Sequence, residues 1–297
     1  MSNRLPNPRS KQRAPWGDGL RRFLTDRVAT CAAITLILVI VVVLLANVLA
    51  PQDPDLQDLN NKYASPALGS EHLLGTDRFG RDLFSRLLYG GRSTILATLL
   101  ATTVGIVIGV PAGLLAGYFG RWIDPFLSRI FDGIFAVPSL IVAIAVIALV
   151  GPGLVTAMIA VGVVFSPGFF RVTRAATRTL RHEAFIESSV CIGCSVWRIV
   201  GIHILPNALP PLIVQTTVTM GHAVMAEASL SFLGLGTQPP TASWGSMLST
   251  GFADAVVAPH LMLAPGIAIT VVVLALTQAG EGVRRATGRG LADEGQG

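Results

Sequence analysis

The chain alternates between long stretches without a formal charge and short charged interruptions. Residues 28–52, 93–120, 133–170, 199–226 and 255–280 contain no Asp, Glu, Lys or Arg. A helix needs about 20 apolar residues to cross the hydrocarbon core of a bilayer, so most of these runs predict one span each. The run 133–170 is long enough for two, and Gly151-Pro152-Gly153 near its middle supplies a turn. Residues 228–253 are also free of charge, but "GTQPPTASWGS" within them is rich in turn formers and polar groups and predicts a loop. Six helical spans follow, at roughly 29–50, 94–118, 133–151, 154–170, 207–228 and 259–280. The first is read as a retained anchor. Its apolar run exceeds the ~7–15 residues of a signal-peptide core, and Pro51 directly follows the cleavage-like Val48-Leu49-Ala50.

Between the spans the pattern changes, and with it the expected organisation. Residues 1–27 form a tail, of which 1–20 are polar, proline-containing and expected to be disordered; 28–50 are the first anchor. Residues 51–92 form a segment on the opposite side. From Arg81 onward, Leu83, Phe84, Leu87 and Leu88 recur at helical spacing, with Asp82 and Arg86 at i,i+4. This predicts an interfacial amphipathic helix running into the second span. Residues 93–280 are the transmembrane core and 281–297 a second tail. The longest inner segment is 171–205. Arg171, Arg174, Arg178 and Arg181 share one helical face there, suited to anionic head groups or to a protein partner. Residues 186–200 read as about four helical turns with Gly193 in the interior, which a close backbone approach or a sharp bend would explain. Pro206 lacks an amide donor and fits the first turn of the fifth span.

Composition agrees with a lipid exterior. Hydrophobic residues make up 52% and charged residues 13%, about half the usual ~25% of a soluble domain. The charge also gives a direction. Of 22 Lys and Arg, only Lys62, Arg78, Arg81, Arg86 and Arg92 fall on the side of the 51–92 segment. The excess of basic residues marks the other side as cytoplasmic and places both termini there. A net charge of +5 is then a topology signal, and no nucleic-acid partner is implied.

Candidate chemistry is sparse. Neither lysine sits in a G-x-x-x-x-G-K phosphate loop, since Ser10 precedes Lys11 and Asn61 precedes Lys62. There is no H-E-x-x-H, no second C-x-x-C to complete a four-ligand zinc site, and no G-x-S-x-G. Cys191 and Cys194 form the one C-x-x-C, on the reducing side and inside a helical stretch. They read as small half-buried fillers rather than a redox pair. Glu227 closes an apolar run, where an acid is either an interfacial structural group or part of a pathway or gate. With almost no ionisable residues in the spans, a stand-alone secondary transporter is disfavoured.

The inner segment also carries a motif. Glu187-Ser188-Ser189, three residues, Gly193, nine residues and His203-Ile204-Leu205-Pro206 resemble the E-A-A…G…I-x-L-P pattern of membrane subunits of binding-protein-dependent ABC importers. Two serines replace the alanines and His203 replaces isoleucine. "LGTDRFGRDLFSRLLYGGRST" (74–94) and "EASLSFLGLGTQPPTASWGSML" (227–248) resemble the C-type subunit of dipeptide, oligopeptide and nickel permeases, and the likeness runs through most of 70–280. The C-terminal "GEGVRRATGRG" diverges.

The resemblance implies an all-α type I importer permease in a bacterial plasma membrane, half of a heterodimer with a second homologous permease. Its partners would be one or two cytoplasmic P-loop ATPase subunits, an extracytoplasmic solute-binding protein and membrane lipid. It would bind no cofactor itself, the ATP being used by the partner ATPase, and it would have no catalytic site. The substrate would be a di- or oligopeptide, with nickel or another small solute as the alternative. Glu187, Ser188, Ser189, Gly193, Leu205 and Pro206 would form the ATPase-coupling element, with no metal ligands anywhere.

Overall fold

A computed structural model describes residues 21, 23–67, 69 and 71–294, with side chains as far as Ala286. The expected disordered stretch 1–20 lies outside the described residues. Those described are helical apart from connections and one isolated bridge between Thr76 and Asp82.

The helices are α1 (Arg27–Leu44), α2 (Ala46–Leu49), α3 (Leu83–Phe119), α4 (Ile123–Phe135), α5 (Ser139–Val150) and α6 (Leu154–Leu180). They continue with α7 (Ala184–Cys191), α8 (Val196–Arg198), a π-helical turn (Ile199–Ile204), α9 (Leu205–Phe232), α10 (Trp244–Ala253) and α11 (His260–Glu294). Five helices, Arg27–Leu44, Leu83–Phe119, Leu154–Leu180, Val196–Phe232 and His260–Ala286, are long and apolar enough to cross a bilayer. A sixth crossing needs α4 and α5 together, and these are bent by 84°.

That bend revises the expected span at 133–151. At about 1.5 Å per residue, neither the 13 residues of α4 nor the 12 of α5 reach across ~30 Å of hydrocarbon. Pro138 causes the break. It has no amide to donate, and it biases Val137 away from the helical region.

Among the described residues, the most extensive helix–helix packing is between α3 and α6. Gly105, Gly109, Gly113 and Gly117 recur every four residues along one face of α3. A Cβ on Gly113 would stand 2.7 Å from both the Phe170 carbonyl oxygen and the Thr173 Cβ. The opposing Gly162 would bring its own Cβ to 2.6 Å from the Ala101 carbonyl oxygen. With no hydrophobic drive between helices in lipid, such small-residue faces let backbones approach and gain dispersion contacts. This stripe escaped the charge-pattern reading, although its four-residue repeat is plain in the sequence.

Helix α11 returns to pack on α1. Asp26 caps α1 by accepting from the amides of Val28 (3.1 Å) and Ala29 (3.3 Å), and it pairs with Arg285 of α11 at 3.1 Å.

The 51–82 segment is irregular but well connected. Asp77 is paired with Arg81 at 2.7 Å, and the buried Asp82 meets His72 at 3.1 Å. The expected Asp82–Arg86 side-chain pair does not form. Asp82 instead caps α3 on the Ser85 amide at 2.7 Å, and Arg86 turns to Asp55 at 3.0 Å. The amphipathic turn predicted there is the first part of a continuous α3.

The arginine face also has partners inside the chain. Arg174 and Arg178 hold the buried Asp124 of α4, Arg171 pairs with Asp132 at 2.9 Å, and Arg181 donates to the Tyr118 carbonyl oxygen at 2.7 Å. The first three reach acids because α4 carries Asp124 and Asp132 on the face turned to α6, and Arg181 reaches the end of α3.

Residues 228–253, expected to be a loop, are half helical. α9 continues to Phe232, and Ser243 with Ser246 makes a capping box that starts α10.

Candidate coupling surface and buried carboxylate node

The stretch 184–206 has two faces. Its inner face is anchored: Ile186, Ile199 and Ile204 are buried and cluster with Leu114 of α3. Ser189 is buried too and spends its hydroxyl on the Phe185 carbonyl oxygen at 2.8 Å. Ser188 is exposed and does the same to Ala184, leaving a small, internally satisfied surface. The outer face is apolar and open, with Ile192 79% and Trp197 75% exposed, flanked by Phe185 and Val190. Glu187 is exposed on the same element.

Gly193 does not lie in a helix interior as expected. α7 ends at Cys191, and Gly193 follows with φ of 78°, a left-handed conformation that glycine takes without penalty. The Cys194 amide reaches back to the Ser189 carbonyl oxygen and the Gly193 amide to Val190, both at 3.0 Å, which is a Schellman termination. Among the described residues nothing lies within 4 Å of a Cβ built on Gly193, so there the backbone conformation alone requires glycine. Cys191 is exposed at the helix end and Cys194 half-buried in the turn.

Leu205 and Pro206 begin α9. Pro206 cannot donate, and the ladder before it widens: the Leu205 amide reaches five residues back to Val200. The Asn207 side chain adds a bond to the His203 carbonyl oxygen at 2.7 Å.

Glu227 lies elsewhere, near the far end of α9, and is fully buried. Its Oε1 accepts from Ser231 at 2.7 Å and its Oε2 from Thr94 of α3 at 3.2 Å, with Ser243 a further hydroxyl neighbour. Thr94 in turn accepts the Trp244 amide at 3.2 Å, and the Trp244 indole donates to the Leu87 carbonyl oxygen at 2.9 Å. One carboxylate thus joins α3, α9 and the start of α10. It does not come near the 184–206 surface in sequence or in packing. Thr94, Ser231, Ser243 and Trp244 were not singled out from the sequence; polar residues at the ends of apolar runs were the available signal.

The family model for binding-protein-dependent transport system inner membrane components matches residues 109–291. The chain belongs to this family. A second model, for the N-terminal transmembrane domain of oligopeptide transport permease C, matches residues 14–66. Among curated relatives, the glutathione transport system permease protein GsiD of an Escherichia coli strain is 42% identical over 289 residues, 96% of this chain and 94% of that one. The protein of the same name from Shigella boydii aligns with the same figures. Among solved structures, inward-facing conformations of the MetNI methionine ABC transporter match with a TM-score of 0.55 and 24% identity. That match covers 68% of this chain and 95% of the other, and shows the permease fold.

Proposed function

We propose that the chain is half of the translocation pathway of an ATP-driven importer for peptides, di- and oligopeptides or peptide-like thiols such as glutathione. A second homologous permease completes the pathway, an extracytoplasmic binding protein delivers the substrate, and cytoplasmic ATPase subunits hydrolyse the ATP. This chain contributes no catalytic group. Both termini and the 184–206 element face the cytoplasm, in line with the Lys and Arg distribution.

The observation that carries this reading is the two-faced 184–206 element. Its exposed side, with Glu187, Ile192 and Trp197, offers apolar area and one acceptor to a partner. Its buried side, Ile186, Ile199 and Ile204, grips α3. Movement of a docked ATPase is thereby transferred to a span. Pro206 and the widened turn before it set the angle at which α9 leaves the element.

The test is uptake and pull-down with the assembled transporter. Glu187→Arg and Gly193→Val, the latter placing a branched residue at positive φ, are expected to abolish uptake and ATPase co-purification while membrane insertion is retained. Normal uptake in both variants would refute the docking role.

A further inference from the structure

The gap between α4 and α5 leaves main-chain groups open. The Ala136 amide closes α4 on Asp132, and Pro138 accepts the first bonds of α5, from Ile141 (3.0 Å) and Val142 (3.3 Å). Among the described residues, the amides of Val137, Ser139 and Leu140 and the carbonyls of Ile134, Phe135 and Ala136 find no partner. Val137 is 42% exposed and Pro138 is exposed as well.

The depth of this gap follows from packing. Just before it, Phe131 stacks on Phe170 of α6 with ring centroids 4.2 Å apart. Just after it, Ala143 and Ile147 pack with Ala157, Met158 and Val161, nearer the start of α6. The gap therefore lies between the ends of a spanning helix, where lipid offers no hydrogen bonds. Irregular backbone at such depth is tolerated where protein buries it or where it lines a water-filled cavity.

An ion pair adjoins the gap where the apolar run of α6 gives way to its inner, charged part, and its openness points to water there. Arg171 and Asp132 meet at 2.9 Å with their side chains 44% and 64% exposed. The Arg171 guanidinium also lies 4.1 Å from the Phe135 ring centroid. A charged pair this open is costly against acyl chains and inexpensive against water. Only Nη2 of Arg171 is engaged with a carboxylate, so Nε and Nη1 remain free to donate among the described residues.

We propose that the α4–α5 gap, with Asp132 and Arg171, is a polar subsite of the translocation pathway that binds the charged ends of a peptide. Arg171 presents its fork to the carboxylate. Asp132 and the open carbonyls of 134–136 accept from the ammonium. Phe135 holds the guanidinium plane in place. This deepens the permease reading and rests on it.

The experiment uses the full transporter in vesicles, with Cys31, Cys191 and Cys194 replaced by serine and Val137→Cys added. A charged, membrane-impermeant methanethiosulfonate is expected to modify Cys at 137, and saturating glutathione or dialanine to slow the reaction several-fold. Leu38→Cys, on the exposed face of α1, is the lipid-facing control and should stay unmodified. A complex that hydrolyses ATP yet leaves position 137 unmodified overturns the proposal. In the second arm, Arg171→Gln should raise KM for the transported peptide about 10-fold or more while uptake of its C-terminal amide changes little. Equal loss for both peptides overturns the carboxylate assignment. Failure of the wild-type chain to retain any ATPase would overturn the permease reading itself, and this proposal with it.

Discussion

The Thr94 hydroxyl donates to Glu227 Oε2 at 3.2 Å while accepting the Trp244 amide at 3.2 Å. One small side chain thus satisfies a buried carboxylate and a buried amide that belong to different elements. Thr94→Val keeps the shape and removes both bonds, so it should cost about 2–5 kcal/mol, as two buried groups lose partners. Thr94→Ser should be close to wild type. Thermal unfolding in detergent checks both, and a Thr94→Val protein as stable as the parent would remove the node from the stability account.

Gly113 faces backbone, which cannot move aside as a side-chain tip can. Its added Cβ would lie 2.7 Å from the Phe170 carbonyl oxygen and 3.0 Å from the Arg174 amide nitrogen. Gly113→Ala is expected to destabilise by about 1–3 kcal/mol through displacement of α6. Gly133→Ala, with nothing among the described residues within 4 Å of its Cβ, should be neutral or slightly stabilising. The same unfolding assay compares the two.

Asp26 makes two interactions that mutation can separate. As the cap of α1 it should cost about 0.5–2 kcal/mol on replacement by alanine. Its pair with Arg285 is partly exposed, with side chains 24% and 44% accessible, and should contribute under about 1 kcal/mol. Asp26→Asn therefore retains most of the stability lost in Asp26→Ala, and Arg285→Ala loses little. A large loss in Arg285→Ala, measured by melting, would show that the pair dominates.

The spans were legible because a charged group inside lipid is expensive, so its absence over about 20 residues is a strong constraint. What the charge pattern could not carry was the interior of those runs. Pro138 divides one of them, and the glycines at 105, 109, 113 and 117 decide which helices touch, yet neither alters the charge count. The arginines of α6 were visible as a face, but their partners Asp124 and Asp132 lie 39 residues or more away in sequence. Gly193 was found and given the wrong setting, since a Schellman turn and a helix interior differ by one dihedral angle that composition does not report. Ser243 and Ser246 were passed over because turn formers hid a helix start. The placement of Glu187, Ser188 and Gly193 on one open surface required the folded chain.

α3 runs without interruption for 37 residues, about 55 Å. Leu114 near one end anchors the 184–206 element, and Thr94, about 30 Å away, holds Glu227 and Trp244. The two contacts therefore share one stiff strut. A tilt imposed at Leu114 arrives at Thr94 as an opposite displacement about whatever point the helix pivots on, and Gly105, Gly109 and Gly113, pressed against α6, lie where such a fulcrum would be.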